Sequence, residues 1–209
     1  MQIITPELNE YMAALLPERD EVLQEMEEYA KQRRFPIIGP LCGTFLSQLA
    51  LVIRARSIFE MGSGFGYSAY WFRKGMRDGG IVICTDGDAG NRDRALAYHG
   101  RTAFQSELHF RVGDAKEIIT EYDEPFDIIF NDIDKEQYPA VPELAFPRLR
   151  AGGILITDNV LWSGRVIEED DAKSTQGVRE FNRILFGADL VLSSIIPIRD
   201  GLGLAVKLT

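Results

Sequence analysis

Cysteine is scarce in this chain: Cys42 and Cys84 are the only two among 209 residues. They lie far apart, match no metal or redox spacing, and cannot supply a disulfide framework. They read as reduced thiols of a cytoplasmic protein. No apolar run approaches the roughly 20 residues that span a bilayer. The opening MQIITPELNEYM has neither the basic nor the apolar region of a signal peptide. An excess of positive charge is also missing. The net charge is −9, which opposes nonspecific attraction to nucleic acid or to anionic membranes. One local exception, Arg33, Arg34, Arg54 and Arg56, reads first as solvated surface. Internal repeats, low-complexity tracts and long linkers are absent too, so one domain over residues 1–209 is expected. Hydrophobic residues, by contrast, make up 45% of the chain, enough for a substantial core.

What is there alternates. Leu8, Met12, Leu15 and Leu16 form one helical stripe, which Pro17 interrupts. Val22, Leu23, Met26 and Tyr29 form a second. Residues 5–33 thus read as helical, and residues 1–40 as an N-terminal helical cover with little core of its own, suited to covering the domain or pairing with a second copy. A loop over Arg34–Pro40 and an apolar helix over Phe45–Ile53 follow. Strands are expected at Ser57–Met61, Ile81–Thr85, Leu108–Val112, Phe126–Phe130 and Ile154–Thr157. Helices are expected between them at Tyr67–Gly75, Ala89–Phe104, Lys116–Tyr122 and Gln137–Leu149. This repetition predicts an α/β fold with a parallel sheet covered on both faces. After a helix at Gln176–Phe186, two extended runs, Val191–Ile198 and Leu202–Leu208, flank Arg199-Asp200-Gly201. Asp-Gly between such runs signals a hairpin, so the sheet should end in an antiparallel pair.

Two strand ends carry acids: Asp132 in FDIIFNDIDKEQY, and Asp158 with Asn159 in GGILITDNVLWSGR. If those strands are neighbours, three oxygen-bearing side chains meet at one edge, with Lys135 close by. A hard divalent cation would satisfy them; capping of a turn and of a helix is the alternative. The first strand leads into Glu60-Met61-Gly62-Ser63-Gly64-Phe65-Gly66. Glycines there permit positive φ and close approach of a ligand to the backbone. Asp86 ends the second strand, where an acid can accept hydrogen bonds from ribose hydroxyls. Asp114 and Ala115, after Gly113, stand where an adenine ring would lie. The spacing is G-x-G-x-G rather than the dinucleotide G-x-G-x-x-G. The acid Glu60 just before it would disfavour a pyrophosphate and favour a cationic ligand such as S-adenosylmethionine.

The blocks SIFEMGSGFGYSAYWF, FDIIFNDIDKEQYP, LRAGGILITDNVLWSGRV, TQGVREFN and IPIRDGLGLAVK together resemble the cation-dependent S-adenosylmethionine O-methyltransferases. That family includes catechol and caffeoyl-CoA O-methyltransferases and small bacterial relatives. The resemblance runs from about Ile37 to the C-terminus and implies a Rossmann-like class I methyltransferase fold, a mostly parallel seven-stranded sheet with N-terminal helices. It implies Asp132, Asp158 and Asn159 as ligands of a divalent cation (Mg²⁺, with Mn²⁺ or Ca²⁺ as alternatives) and Lys135 as general base. For S-adenosylmethionine it implies contacts from Ile38, Ser68, Asp86, Ala115, Asp132 and Asp134, beside the loop residues Glu60, Gly62, Gly64 and Gly66 and Asp114. Asp200 matches a substrate-contacting position, with a plain Asp-Gly turn as the alternative. Trp162 and Tyr138 are candidate aromatic walls, with core packing as the alternative.

There are departures. Gly39-Pro40-Leu41 stands where relatives carry a Ser-Pro-Glu type of segment, Asn131 where an apolar residue is common, and Gly87 and Gly90 loosen the turn after Asp86. The expected activity is methyl transfer to a hydroxyl of a small catechol-like or phenylpropanoid substrate by a homodimer. A transfer-RNA hydroxyuridine substrate is the first alternative and needs the Arg33–Arg56 cluster on the active-site face. A nicotinamide-dependent oxidoreductase and a noncatalytic S-adenosylmethionine-binding module are the others.

Overall fold

The computed structural model describes residues 4–209, so the first three residues of the expected domain and of its helical cover lie outside the described residues. Two helices come first, α1 (Pro6–Ala14) and α2 (Glu21–Arg33). Each starts on a side-chain cap: Thr5 Oγ1 accepts from the Leu8 amide at 3.3 Å, and Asp20 Oδ1 from the Leu23 amide at 3.0 Å. Such caps satisfy amides that the first turn leaves free. α2 ends on Arg34 in the left-handed region. It buries Val22, Leu23, Met26 and Ala30, whereas α1 buries no residue. Helix α3 (Gly39–Val52) begins six residues before the expected Phe45, because Pro40 at its first turn starts a helix readily.

From there strands and helices alternate: β1 (Ser57–Met61), α4 (Tyr67–Gly75), β2 (Ile81–Asp86), α5 (Ala89–His99), β3 (Glu107–Val112), α6 (Ala115–Ile118), β4 (Phe126–Asn131), α7 (Val141–Ala145), β5 (Leu149–Thr157), α8 (Lys173–Gly187), β6 (Val191–Ile196) and β7 (Leu202–Lys207). The seven strands form one sheet in the order β3-β2-β1-β4-β5-β7-β6. The first five are parallel; β7 runs antiparallel to both β5 and β6. The expected α/β sheet with its terminal hairpin is therefore present. Side chains alternate between faces. Ile58, Ile128 and Ile156 join the core under α2, α3 and α4, while Phe59, Ile129 and Leu155 join the core under α6, α7 and α8.

Other boundaries differ from expectation as well. The helix expected over Lys116–Tyr122 is α6 followed by a 3-10 turn at Ile119–Glu121. The helix expected over Ala89–Phe104 stops at His99, followed by Gly100. The one expected over Gln137–Leu149 is a 3-10 turn at Lys135–Ala140, the short α7, and another 3-10 turn at Phe146–Arg148. Pro139, Pro142 and Pro147 each remove an amide donor, so no continuous helix can form. β5 begins at Leu149 rather than Ile154, paired with Phe126 across an irregularity in the ladder. Among the described residues no helix is long and apolar enough to cross a membrane.

Candidate active site

The parallel strands place their carboxyl ends together, and β1 and β4 flank the point where strand order reverses, the usual ligand crevice of such sheets. Met61 pairs with Asn131, and Asn131 with Thr157. The next residues, Gly62, Asp132 and Asp158, consequently emerge side by side. The Asp132 amide donates to Met61 O at 2.9 Å and the Asp158 amide to Asn131 O at 3.0 Å. A cavity of about 610 Å³ opens there, within the range of small-molecule sites, about 300–1,000 Å³.

Gly62, Gly64 and Gly66 all have positive φ, at 81°, 50° and 84°. A Cβ on Gly62 would sit 2.6 Å from Asp132 O, so the loop can lie this close to the end of β4 only without a side chain. Asp86 holds the loop from the other side. Its Oδ2 accepts from the Gly64 amide at 3.0 Å, and its Oδ1 accepts from the Asp88 amide and from Asn91 Nδ2. Beneath the loop, His99 joins Gly66 O at 3.0 Å through Nε2 and Arg73 Nη1 at 2.9 Å through Nδ1. Arginine can only donate, so Nδ1 accepts and Nε2 carries the proton. Burial pushes the His99 imidazole down to about 4, which keeps it neutral.

Among the expected cofactor residues, Ile38, Gly62, Gly64, Ser68, Asp86, Asp132 and Asp134 line the cavity. Glu60, Gly66, Asp114 and Ala115 do not. Glu60 is wholly buried under the loop, accepting from Ser68 Oγ and, at 3.4 Å, from Cys84 Sγ. Burial pushes its carboxyl up to about 7. Its place is that of a brace for Ser68 rather than a wall that meets a cationic ligand. Gly66 is the N-cap of α4, and Asp114 caps α6 by accepting from the Lys116 amide at 2.8 Å. Ala115 is buried in the core.

At the acceptor end, Lys135, Asn159 and Trp162 line the cavity. Lys135 Nζ donates to Asp132 Oδ1 at 2.8 Å and lies 5.8 Å from the Trp162 ring centre. The backbone of its turn is set by α8: a Cβ on Gly177 would stand 2.2 Å from Lys135 O. Tyr138 is core, fully buried against Phe181, with its hydroxyl donating to Asp158 O at 2.9 Å. Asp200 is behind the wall, accepting from Asn159 Nδ2 at 3.2 Å and from the Ser163 amide, so it braces the loop after β5.

The residue missed by the sequence reading is Arg199, which lies in the cavity wall. Its Nη1 donates to Asp158 Oδ2 at 2.6 Å, and Asp158 is only 1% exposed. Burial raises both Asp132 and Asp158, Asp132 further through the neighbouring Asp158 carboxylate; Lys135 and Arg199 counter this. Asp158 Oδ1 is buried without a hydrogen-bond partner. The expected divalent ion fits this arrangement poorly. Two carboxylates, Asp132 and Asp158, already face two cations, Lys135 and Arg199, each in direct contact. A dication among them would meet like charge on both sides.

The O-methyltransferase family model matches residues 14–208. The chain belongs to that family. The methyltransferase is 29% identical to a catechol O-methyltransferase of Niastella koreensis, over 95% of this chain and 96% of that one. It is 26% identical to caffeoyl-CoA O-methyltransferase 1 of Eucalyptus globulus, over 94% and 85%. Among solved structures, an O-methyltransferase from Bacillus cereus in complex with SAH matches with a TM-score of 0.87 and 28% identity, over 96% of this methyltransferase and 97% of that chain.

Proposed function

We propose that this methyltransferase moves the methyl group of S-adenosylmethionine to a hydroxyl of a small catechol-like or phenylpropanoid aromatic. The observation that carries the reading is one cavity walled by the glycine loop and Asp86 at one end and by Lys135, Asp132 and Trp162 at the other. The Bacillus relative bound to SAH and the catechol and caffeoyl-CoA relatives support the choice of cofactor and of acceptor. Gly62 and Gly64 bring loop backbone into the cavity wall, and Asp86 offers acceptors for ribose hydroxyls.

When bound, S-adenosylmethionine supplies an electrophilic methyl: the O–C bond forms as the C–S bond breaks, and its electron pair stays on sulfur. The protein's part is positioning and charge. The Lys135–Asp132 pair, joined at 2.8 Å, takes the hydroxyl proton as a unit and ends as an ammonium beside a carboxylic acid. Burial of Asp132, which raises its affinity for a proton, favours that direction. Trp162 closes one side of the aromatic acceptor. Divalent-metal dependence is left out of this proposal, because Arg199 and Lys135 already neutralise the acids.

The transfer-RNA reading keeps only part of its support: Arg54 and Arg56 precede β1, at the end of the sheet away from the cavity, while Arg33 and Arg34 close α2 directly before Phe35 in the cavity wall. The oxidoreductase and noncatalytic readings have no comparable support beside the family match. We also propose pairing with a second copy, since α1 exposes Leu8, Tyr11 and Leu15, and α3 exposes Leu51 and Val52; analytical ultracentrifugation tests it. Cytoplasmic residence, in keeping with the buried free Cys42 and Cys84, is tested by fractionation. The deciding experiment incubates the protein and S-adenosylmethionine with catechols, caffeoyl esters and hydroxyuridine RNA, with product masses read out. O-methylated aromatics are expected; cofactor binding without methylation of any aromatic would overturn the assignment.

A further inference from the structure

We propose that Arg199 is the built-in cation of this active site, taking the place of a divalent ion at the ends of β4 and β5, so that methyl transfer needs no bound metal. The proposal rests on the methyl-transfer reading above and concerns how the acceptor oxygen is held.

Three observations carry it. The first is contact: Arg199 Nη1 lies 2.6 Å from Asp158 Oδ2, and the carboxylate is almost completely shut off from solvent. A buried carboxylate needs a countercharge, and here the side chain itself supplies it. The second is charge balance. Lys135 is already committed to Asp132 at 2.8 Å, leaving Asp158 to Arg199, so each of these two acids has its own cation in contact, with Asp200 a third carboxylate close enough to act on both Asp158 and Arg199. The third is backbone strain. Arg199 has φ 52°, in the left-handed region, which is unfavourable for a side chain and not for glycine. A hairpin turn alone gives no reason for an arginine at that position. Its contact with Asp158 does.

Chemically the substitution is reasonable. A guanidinium stays protonated and carries five donors, of which one is taken by Asp158 among the described residues. Arg199 lines the cavity, so donors not taken by Asp158 are within reach of a ligand there. They can hydrogen-bond the acceptor oxygen as it gains negative charge, the role of any fixed donor at a developing oxyanion. Arg199 itself makes and breaks no covalent bond, and the hydroxyl proton still leaves to the Lys135–Asp132 pair.

The test compares wild type with Arg199→Gly, Arg199→Gln and Arg199→Lys, each freed of metal with a chelator. Mn²⁺ binding is read by electron paramagnetic resonance, which needs no substrate. Wild type and Arg199→Lys should show no stoichiometric Mn²⁺ site. Arg199→Gly, which also relieves the backbone, or Arg199→Gln if the glycine variant is unstable, should gain one, and adding Asp158→Asn should abolish it. In turnover, wild type should be insensitive to chelator. The uncharged variants should lose activity by about 100-fold, the usual effect of removing one oxyanion donor, with Mn²⁺ restoring part of it. A stoichiometric Mn²⁺ site in wild type that Asp158→Asn removes, or wild-type turnover that chelator abolishes and Mg²⁺ restores, overturns the proposal. If no acceptor is methylated with or without Mg²⁺, the methyl-transfer reading fails separately, and the Mn²⁺ titration still decides the role of Arg199.

Discussion

Gly177→Ala is the most direct way to ask whether the turn that carries Lys135 must sit where α8 puts it. The added Cβ would stand 2.2 Å from Lys135 O and 3.1 Å from Glu136 Cα. Ordinary contact for such a pair begins near 3.4 Å, so the turn and helix must separate by about 1 Å. Two stability effects oppose each other. Alanine in a helix interior gains about 1 kcal/mol over glycine, while overpacking costs about 1–3 kcal/mol. The net loss is thus roughly 0–2 kcal/mol, a fall in Tm of no more than about 8 °C for a chain of this size. Catalysis is far more sensitive, since a displacement of about 1 Å can cost about 100-fold in rate. The expected result is a folded protein with a modestly lower Tm, near-normal S-adenosylmethionine affinity by calorimetry, and turnover reduced by about two orders of magnitude. Turnover within a factor of two of wild type would refute the idea that this packing positions Lys135.

Lys135→Met should cut turnover by about 10²–10⁴-fold while the calorimetric Kd for S-adenosylmethionine stays nearly unchanged; an equal loss in both would move Lys135 to the cofactor site. Asp86→Ala removes the acceptor for the Gly64 amide and for Asn91; S-adenosylmethionine should bind about 10–100-fold more weakly, as expected for losing charge-assisted hydrogen bonds. His99 offers a test by pH. Its folded-state value of about 4 lies below the ordinary 6.5, so between those values the unfolded chain binds the extra proton. Stability from this group is therefore complete above pH 6.5 and falls as pH drops to 4, by roughly 3 kcal/mol. Urea unfolding of wild type and His99→Gln at pH 7 and pH 4.5 should show a smaller acid loss in the variant; equal losses would contradict it.

Four of the five parallel strands were legible as short apolar runs between turn residues, and the edge strand β3 as an alternation of Leu108, Phe110 and Val112 with polar residues. The start of β5 was not: Arg150-Ala151-Gly152-Gly153 has no apolar pattern, and its pairing with β4 depends on the neighbouring strand. The three prolines in 139–147 were visible, yet the apolar spacing around them suggested a continuous helix. In the site, the neighbouring positions of Asp132, Asp158 and Lys135 could be anticipated once β4 and β5 were taken as adjacent. The burial of Glu60 under the glycine loop was not legible, because it depends on which face of the sheet strand alternation gives that residue. Arg199 gave no local signal beyond a turn. Its meeting with Asp158 depends on β7 lying between β5 and β6, which returns the hairpin tip to the carboxyl end of β5. Nothing in the residues around Arg199 encodes that order.

The position of Arg199 in the chain also bears on how the molecule is made. A ribosome releases the glycine loop, Asp86 and Asp132 long before the last hairpin. Until that hairpin emerges, the Asp158 carboxylate lacks Arg199 and β5 has an open edge. The half of the cavity assigned to the cofactor can form on the nascent chain, whereas the acceptor half waits for β7 to pair with β5 and for Arg199 to reach Asp158.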